Sequence, residues 1–152
     1  MHIRTKIILA ISLSLLVGIL TFLAWVVGLL PYSVSEALFR YRLEERVKHD
    51  AVVIPLKDIL RSDWEMVCEV HPYDGPIQVK KYGKTYEAPS RYAHDSVWVL
   101  MFLNSQGNPI FVSGGCTKGG IFLKGGARCL EREMAVLVKE RTGRCPVYKM
   151  GR

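Results

Sequence analysis

The sequence predicts an α+β protein: one N-terminal transmembrane helix followed by a small, mainly antiparallel-sheet domain on the extracytoplasmic side. Three observations carry that expectation. Ile7 to Leu30 is a 24-residue run without a charge. Beyond it, short alternating or wholly apolar segments are separated by Gly-, Pro- and Asn-rich turns, the pattern of short strands. All four cysteines, Cys68, Cys116, Cys129 and Cys145, lie in that second part.

The apolar run comes first. At ~1.5 Å per residue it gives about 36 Å, enough to cross a ~30 Å hydrocarbon core with some tilt. Trp25 and Tyr32 stand near its C-terminal end and Pro31 marks the exit, as suits side chains at the headgroup level. A cleaved signal peptide has a shorter core of ~7–15 residues and a small-residue site close behind it. Here the nearest such site, Ser35-Glu36-Ala37, is distant. The expected organisation is a basic tail over 1–6, a spanning helix over 7–30, an amphipathic linker helix over 31–50 and a domain over 51–152.

Orientation rests on two arguments. Arg4 and Lys6 abut the run, whereas Arg40, Arg42, Arg46 and Lys48 begin ten residues past it and are diluted by Glu36, Glu44 and Glu45. A plain Lys/Arg count points the other way. The cysteines decide: an even number in a small domain reads as two disulfides in an oxidising compartment. The expected location is the inner (cytoplasmic) membrane, single-pass, with the domain in the periplasm.

Within the domain, Ser33 to Lys48 reads as a helix, with Ser33 and Glu36 as a capping box and Phe39, Leu43 and Val47 on one face. Pro55 to Leu60 allows one helical turn. Trp64 to Val70 alternates, which places Trp64, Met66, Cys68 and Val70 inward and Glu65 and Glu69 outward. His71 to Pro76 is a turn, and Ile77 to Tyr82 a weaker strand. Lys84 to His94 is the expected long loop. Val97 to Leu103, VWVLMFL, is the central strand, and Asn104 to Pro109 turns it into a hairpin with Ile110 to Ser113. Ile121 to Leu123 adds a short strand. Met134 to Val138 and Cys145 to Tyr148 form a closing hairpin, chosen over a helix because Val136, Val138 and Val147 favour strand. About five strands in one sheet are expected.

Charge narrows the partners. The net charge is +7. Setting aside Arg4 and Lys6 leaves 19 bases against 14 acids from Pro31 onward, concentrated after Gly115. Such a face suits an acidic protein or anionic lipid. Nucleic acid is not expected outside the cytosol.

No motif assigns chemistry. The glycines from Gly114 to Gly126 lack the P-loop spacing and read as turns needing positive φ. Cys68 and His71 have ligand-like spacing, but no second pair completes a metal site. Asp63, Glu65 and Glu69, with His71 and His94, are the carboxylate and imidazole candidates for acid–base work. The Glu, Asp and Thr spacing of membrane-tethered phage lysins starts at Glu65 and Asp74 but meets Lys80 where the threonine belongs. No catalytic residue, metal or cofactor is therefore assigned. Tyrosine beside arginine favours recognition surfaces, so Tyr86, Arg91 and Tyr92, supported by Lys139 and Arg141, are the binding candidates.

The stretch Asp63-Trp64-Glu65-Met66-Val67-Cys68, with Pro72-Tyr73 four residues on, resembles a run in small bacterial membrane-anchored envelope proteins. The resemblance covers about a dozen residues and the looser hairpin around Trp98. It implies a bacterial envelope protein and transfers no functional residue. The expected function is non-enzymatic: a tethered module that binds another protein in an immunity-like or accessory role, with membrane lipid around its helix. The alternatives are an envelope hydrolase acting on cell-wall or lipid material and a structural subunit of a membrane complex.

Overall fold

The computed structural model describes residues 11–19, 22–23, 31–71, 73–92, 97–116, 120–125 and 129–151, except for the side chains of 31–34, 91 and 97. The chain divides into two compact units, Met1–Val34 and Ser35–Arg152. In the first, residues 11–19 and 22–23 are helical, and their apolar side chains, such as Leu13, Leu16 and Phe22, are exposed. Among the described residues no helix is long and apolar enough to cross a membrane. Much of the predicted span (7–10, 20–21 and 24–30) lies outside them.

The second unit is mixed α+β and mostly antiparallel. Helix α1 (Pro31–Lys48) enters it, followed by β1 (Val53–Pro55), the single turn α2 (Leu56–Ile59) and β2 (Met66–Val70). Then come β3 (Ile77–Val79), β4 (Lys84–Tyr86), β5 (Val97–Leu103), β6 (Pro109–Gly115) and β7 (Phe122–Leu123). The last strands are β8 (Cys129–Glu131), β9 (Val136–Arg141) and β10 (Val147–Gly151). The expected single sheet of about five strands is instead two four-stranded sheets and a two-stranded one. Their orders are β1-β9-β10-β7, β6-β5-β2-β8 and β3-β4. All described pairings are antiparallel except β7 with β10.

The all-apolar β5 explains this layering. It pairs with β6 on one side and β2 on the other, and both of its faces are covered. Trp98, Leu100 and Phe102 pack with Phe39 and Leu43 of α1 and with Ile54, Leu137 and Tyr148 of the other large sheet. Val99, Met101 and Leu103 pack with Cys68, Val79, Tyr86 and Tyr92 beneath the β3–β4 hairpin. A strand buried on both faces reads as continuous apolar sequence rather than alternation. The first core contains an edge-to-face aromatic chain: Trp64 to Phe102 at 4.9 Å, Phe102 to Phe39 at 5.7 Å and Phe39 to Trp98 at 6.4 Å. These spacings lie in the favourable range for such pairs.

Several local expectations hold. Phe39 and Leu43 are buried with Val47 packed against them, β5–β6 and β9–β10 are hairpins, and Trp64 and Trp98 are buried. Asn104 Oδ1 accepts from the Gln106 and Asn108 amides, and Gly107 takes φ 71° to close the predicted turn.

Others are corrected. Alternation does not run through Trp64: β2 starts at Met66, and Trp64 packs with Val67 on the opposite face from Cys68. Glu69 is buried, not exposed, because its strand lies against doubly covered β5. Ser33 is no cap, since α1 begins at Pro31. Glu36 reaches across to β6, accepting from Ser113 N at 3.1 Å and Ser113 Oγ at 2.5 Å. Gly114 answers to close packing rather than to positive φ: a Cβ there would stand 2.3 Å from Trp98 Cζ2. The expected loop at Lys84–His94 contains β4 and a 3-10 turn at Ser90–Tyr92.

Candidate functional site

The predicted recognition residues do not form one surface. Tyr86 is buried, and its hydroxyl donates to Gly107 O at 2.7 Å. Burial raises its phenol above the usual range. Tyr92 is buried in the same core. These rings hold the β3–β4 hairpin onto the sheet. The Arg91 side chain lies outside the described residues. Lys139 belongs to the other large sheet, where it is paired with Asp50 and stands 6.0 Å from the Tyr148 ring centroid. Among the candidates whose side chains are described, only Arg141, the last residue of β9, is exposed. The aromatic signal marked a second core, which a tyrosine-rich segment serves as readily as it serves recognition.

The basic C-terminal quarter is likewise partly structural. Arg132 donates to Trp64 O at 3.0 Å, and its guanidinium lies 5.2 Å from the Trp64 ring centroid. Lys124 is 3.7 Å from Glu140.

The acid–base candidates separate into two places. Asp63 and Glu65 line an open depression of about 380 Å³ together with Lys81, Glu131, Arg132 and Glu133. Three of its four acids are engaged: Glu65 with Lys81 at 2.8 Å, Glu133 with Lys57 at 2.5 Å and Asp63 with Arg132 at 3.9 Å. The lysine hydrogen bonds hold Glu65 and Glu133 below the usual carboxylate range. These are solvated pairs that contribute little individually.

Glu69 differs. Its side chain is 1% exposed and sits 3.4 Å from Nε2 of His71, which is 32% exposed. That contact is made by Glu69 Oε1, which has no other hydrogen-bond partner among the described residues. On the other side, a Cβ at Gly125 would stand 2.5 Å from Oε2, so a larger residue there would force the Glu69 carboxyl to shift. Burial pushes the carboxyl up from its usual value and Asp74 adds to this, while His71 opposes it. Strand alternation alone places this glutamate in solvent. The all-apolar partner strand was the signal that its surroundings are dry. His94 lies outside the described residues, and among those described no cluster of three or more His, Cys, Asp or Glu could hold a metal ion.

All four cysteines are paired. Cys68 joins Cys129 across the β2–β8 register, with Cα atoms 4.1 Å apart, and Cys116 after β6 joins Cys145 in the β9–β10 turn. The second bridge ties one large sheet to the other.

The outer face of α1 carries exposed apolar side chains, Leu38 at 46% and Tyr41 at 63%. Its inner face is anchored through Arg40, which donates from Nε to Ser113 O at 2.7 Å and from Nη2 to Glu36 at 2.9 Å.

Comparison with known proteins finds no matching family model, no similar curated protein and no similar solved structure.

Proposed function

We propose that this is a single-pass, membrane-tethered envelope protein whose disulfide-bridged domain lies outside the cytosol and binds another protein without catalysing a reaction. The observation that carries the reading is the pairing of every cysteine into a bridge within the domain. Such bridges persist in oxidising compartments. The uncharged run Ile7–Leu30 supports the tether. Its described helical residues expose their apolar side chains, as suits a helix that meets lipid. Since Tyr86 and Tyr92 are buried, recognition falls to the exposed Tyr41 and Leu38 of α1 and to Arg141 with Arg144 beyond β9. A basic patch of this kind steers an acidic partner.

One observation favours the alternative of an envelope hydrolase acting on cell-wall or lipid material. A buried carboxylate beside an accessible imidazole is an arrangement that orients a general base. The exposed Leu38, Tyr41, Arg141 and Arg144 make binding the better-supported reading.

Cross-linking in native membranes followed by purification of the full chain tests both. A specific partner whose capture is lost with Arg141→Glu supports the binding module. Retained capture in that variant, with the cellular phenotype abolished by His71→Ala alone, replaces it with the enzyme. Alkylation under denaturing, non-reducing conditions should add no label. Four labelled thiols would remove the argument for an extracytoplasmic domain.

A further inference from the structure

We propose that Glu69, with His71 beside it, is a proton-binding site that holds the β7 edge closed over the core: with the proton bound the edge stays seated, and loss of the proton loosens it. The argument begins with geometry. Glu69 leaves β2 toward the interior between the two large sheets, where Val67, on the same face, belongs to the first core. Its Oε2 lies against Gly125, two residues past the end of β7, and its Oε1, 3.4 Å from His71 Nε2, has no other hydrogen-bond partner among the described residues. A neutral carboxyl is tolerable in such a place, whereas an ionised one without full hydrogen bonding is costly.

The described charged neighbours do not remove that cost. On its own strand and the following turn, His71 and Asp74 act on it with opposite signs. From β7, Lys124 is 3.7 Å from Glu140. The residues paired across β5, Leu100 and its neighbours, are apolar. From β8, Glu131 pairs with Met66 at the far end of β2. Beyond His71, no described cation compensates an ionised Glu69.

The cheapest relief is hydration from the side that moves most easily. β7 has two residues, lies at the edge of its sheet and is held to β10 by Phe122 N to Pro146 O at 3.0 Å and Lys124 N to Tyr148 O at 2.8 Å. Lifting its end admits water to Glu69. Burial raises the closed-state carboxyl above its ordinary value of 4.5. The closed form is therefore favoured most below that pH, and the preference is lost as pH rises through the closed-state value.

Hydrogen exchange at the Phe122 and Lys124 amides tests this, using the full chain in detergent micelles with disulfides intact and rates corrected for intrinsic exchange. Protection should fall by about tenfold per pH unit above 4.5 and level off at the closed-state value. Glu69→Gln should abolish the fall. His71→Asn, which removes the imidazole that opposes the effect of burial, should carry it to higher pH before it levels. A flat wild-type profile, or the same fall in Glu69→Gln, overturns the proposal. If Glu69→Gln does not fold, carboxyl ¹³C titration of wild-type Glu69 decides: a midpoint shared with the amide change supports the latch, and separate midpoints refute it. The measurement needs no partner, so its failure would leave the binding reading standing.

Discussion

Gly114 lies directly beneath the indole of Trp98: a methyl group at position 114 would stand 2.3 Å from Cζ2 and 2.8 Å from Cε2. The two residues face each other across the β5–β6 register. The ring is fixed from its other end by Trp98 Nε1 donating to Ile121 O at 2.9 Å. The indole thus fills the groove that the missing side chain leaves, and it cannot retreat without breaking that bond.

Gly114→Ala should therefore destabilise by about 1–3 kcal/mol, the usual cost of overpacking a closed core. Trp98→Ala should cost about 3–5 kcal/mol. Urea unfolding followed by circular dichroism measures both. A change under ~0.5 kcal/mol in either would mean that the indole is not locked as described.

The Glu36–Arg40–Ser113 cluster should behave as one unit. Ser113 is buried, and Glu36 accepts from both its amide and its hydroxyl. Glu36→Ala leaves the Ser113 amide unsatisfied, an expected cost of about 1–3 kcal/mol. A double-mutant cycle with Arg40→Ala should show coupling of at least ~0.5 kcal/mol. Strict additivity would mean that the helix is held to β6 by Phe39 and Leu43 packing alone.

Tyr86 and Arg141 should separate stability from binding. Tyr86→Ala removes a buried ring and the donor to Gly107 O, so it should lower stability by about 3–5 kcal/mol. Arg141→Glu should leave stability within about 0.5 kcal/mol while slowing association with an acidic partner and flattening its salt dependence. Thermal melts and surface-plasmon kinetics read the two effects. A stable Tyr86→Ala variant with a selective binding loss would return that residue to the interface.

Acid should weaken the exposed pairs while sparing the buried carboxyl. Glu65 and Glu133 are held below the ordinary 4.5 by Lys81 and Lys57. Their contribution is present above that pH and is lost as pH falls through their lower folded values. It is small and screened by salt, because both pairs are solvated. Glu69 has the opposite sign. At pH 8 Glu69→Gln should raise the unfolding midpoint relative to wild type, and below pH 4.5 the difference should vanish. A midpoint lowered at pH 8 would show that the ionised carboxylate is satisfied.

Local pattern carried much of the fold. The charge-free run, the i, i+4, i+8 face of α1, the wholly apolar β5 and the Asn104–Pro109 turn after it are each legible from nearby residues. Each depends on side chains within a few positions of one another. Strand count was underestimated because β1, β4 and β8 have three residues each, too short for alternation to register.

By itself, then, the sequence determined the α+β class, the two principal hairpins, the burial of Trp64 and Trp98 and the presence of an exceptional apolar segment at the start. These follow from periodicity and turn chemistry, which are local. Tertiary structure alone decided the rest. It set which cysteines pair, turned Tyr86 and Tyr92 from surface candidates into core, sent Glu36 across to Ser113 and closed Gly125 over Glu69. Each outcome depends on a second element from elsewhere in the chain: 61 residues on for Cys68–Cys129, 29 for Cys116–Cys145, 77 for Glu36–Ser113 and 21 for Tyr86–Gly107. Alternation states only which residues share a face of a strand. Whether that face meets water or another layer depends on what packs against it.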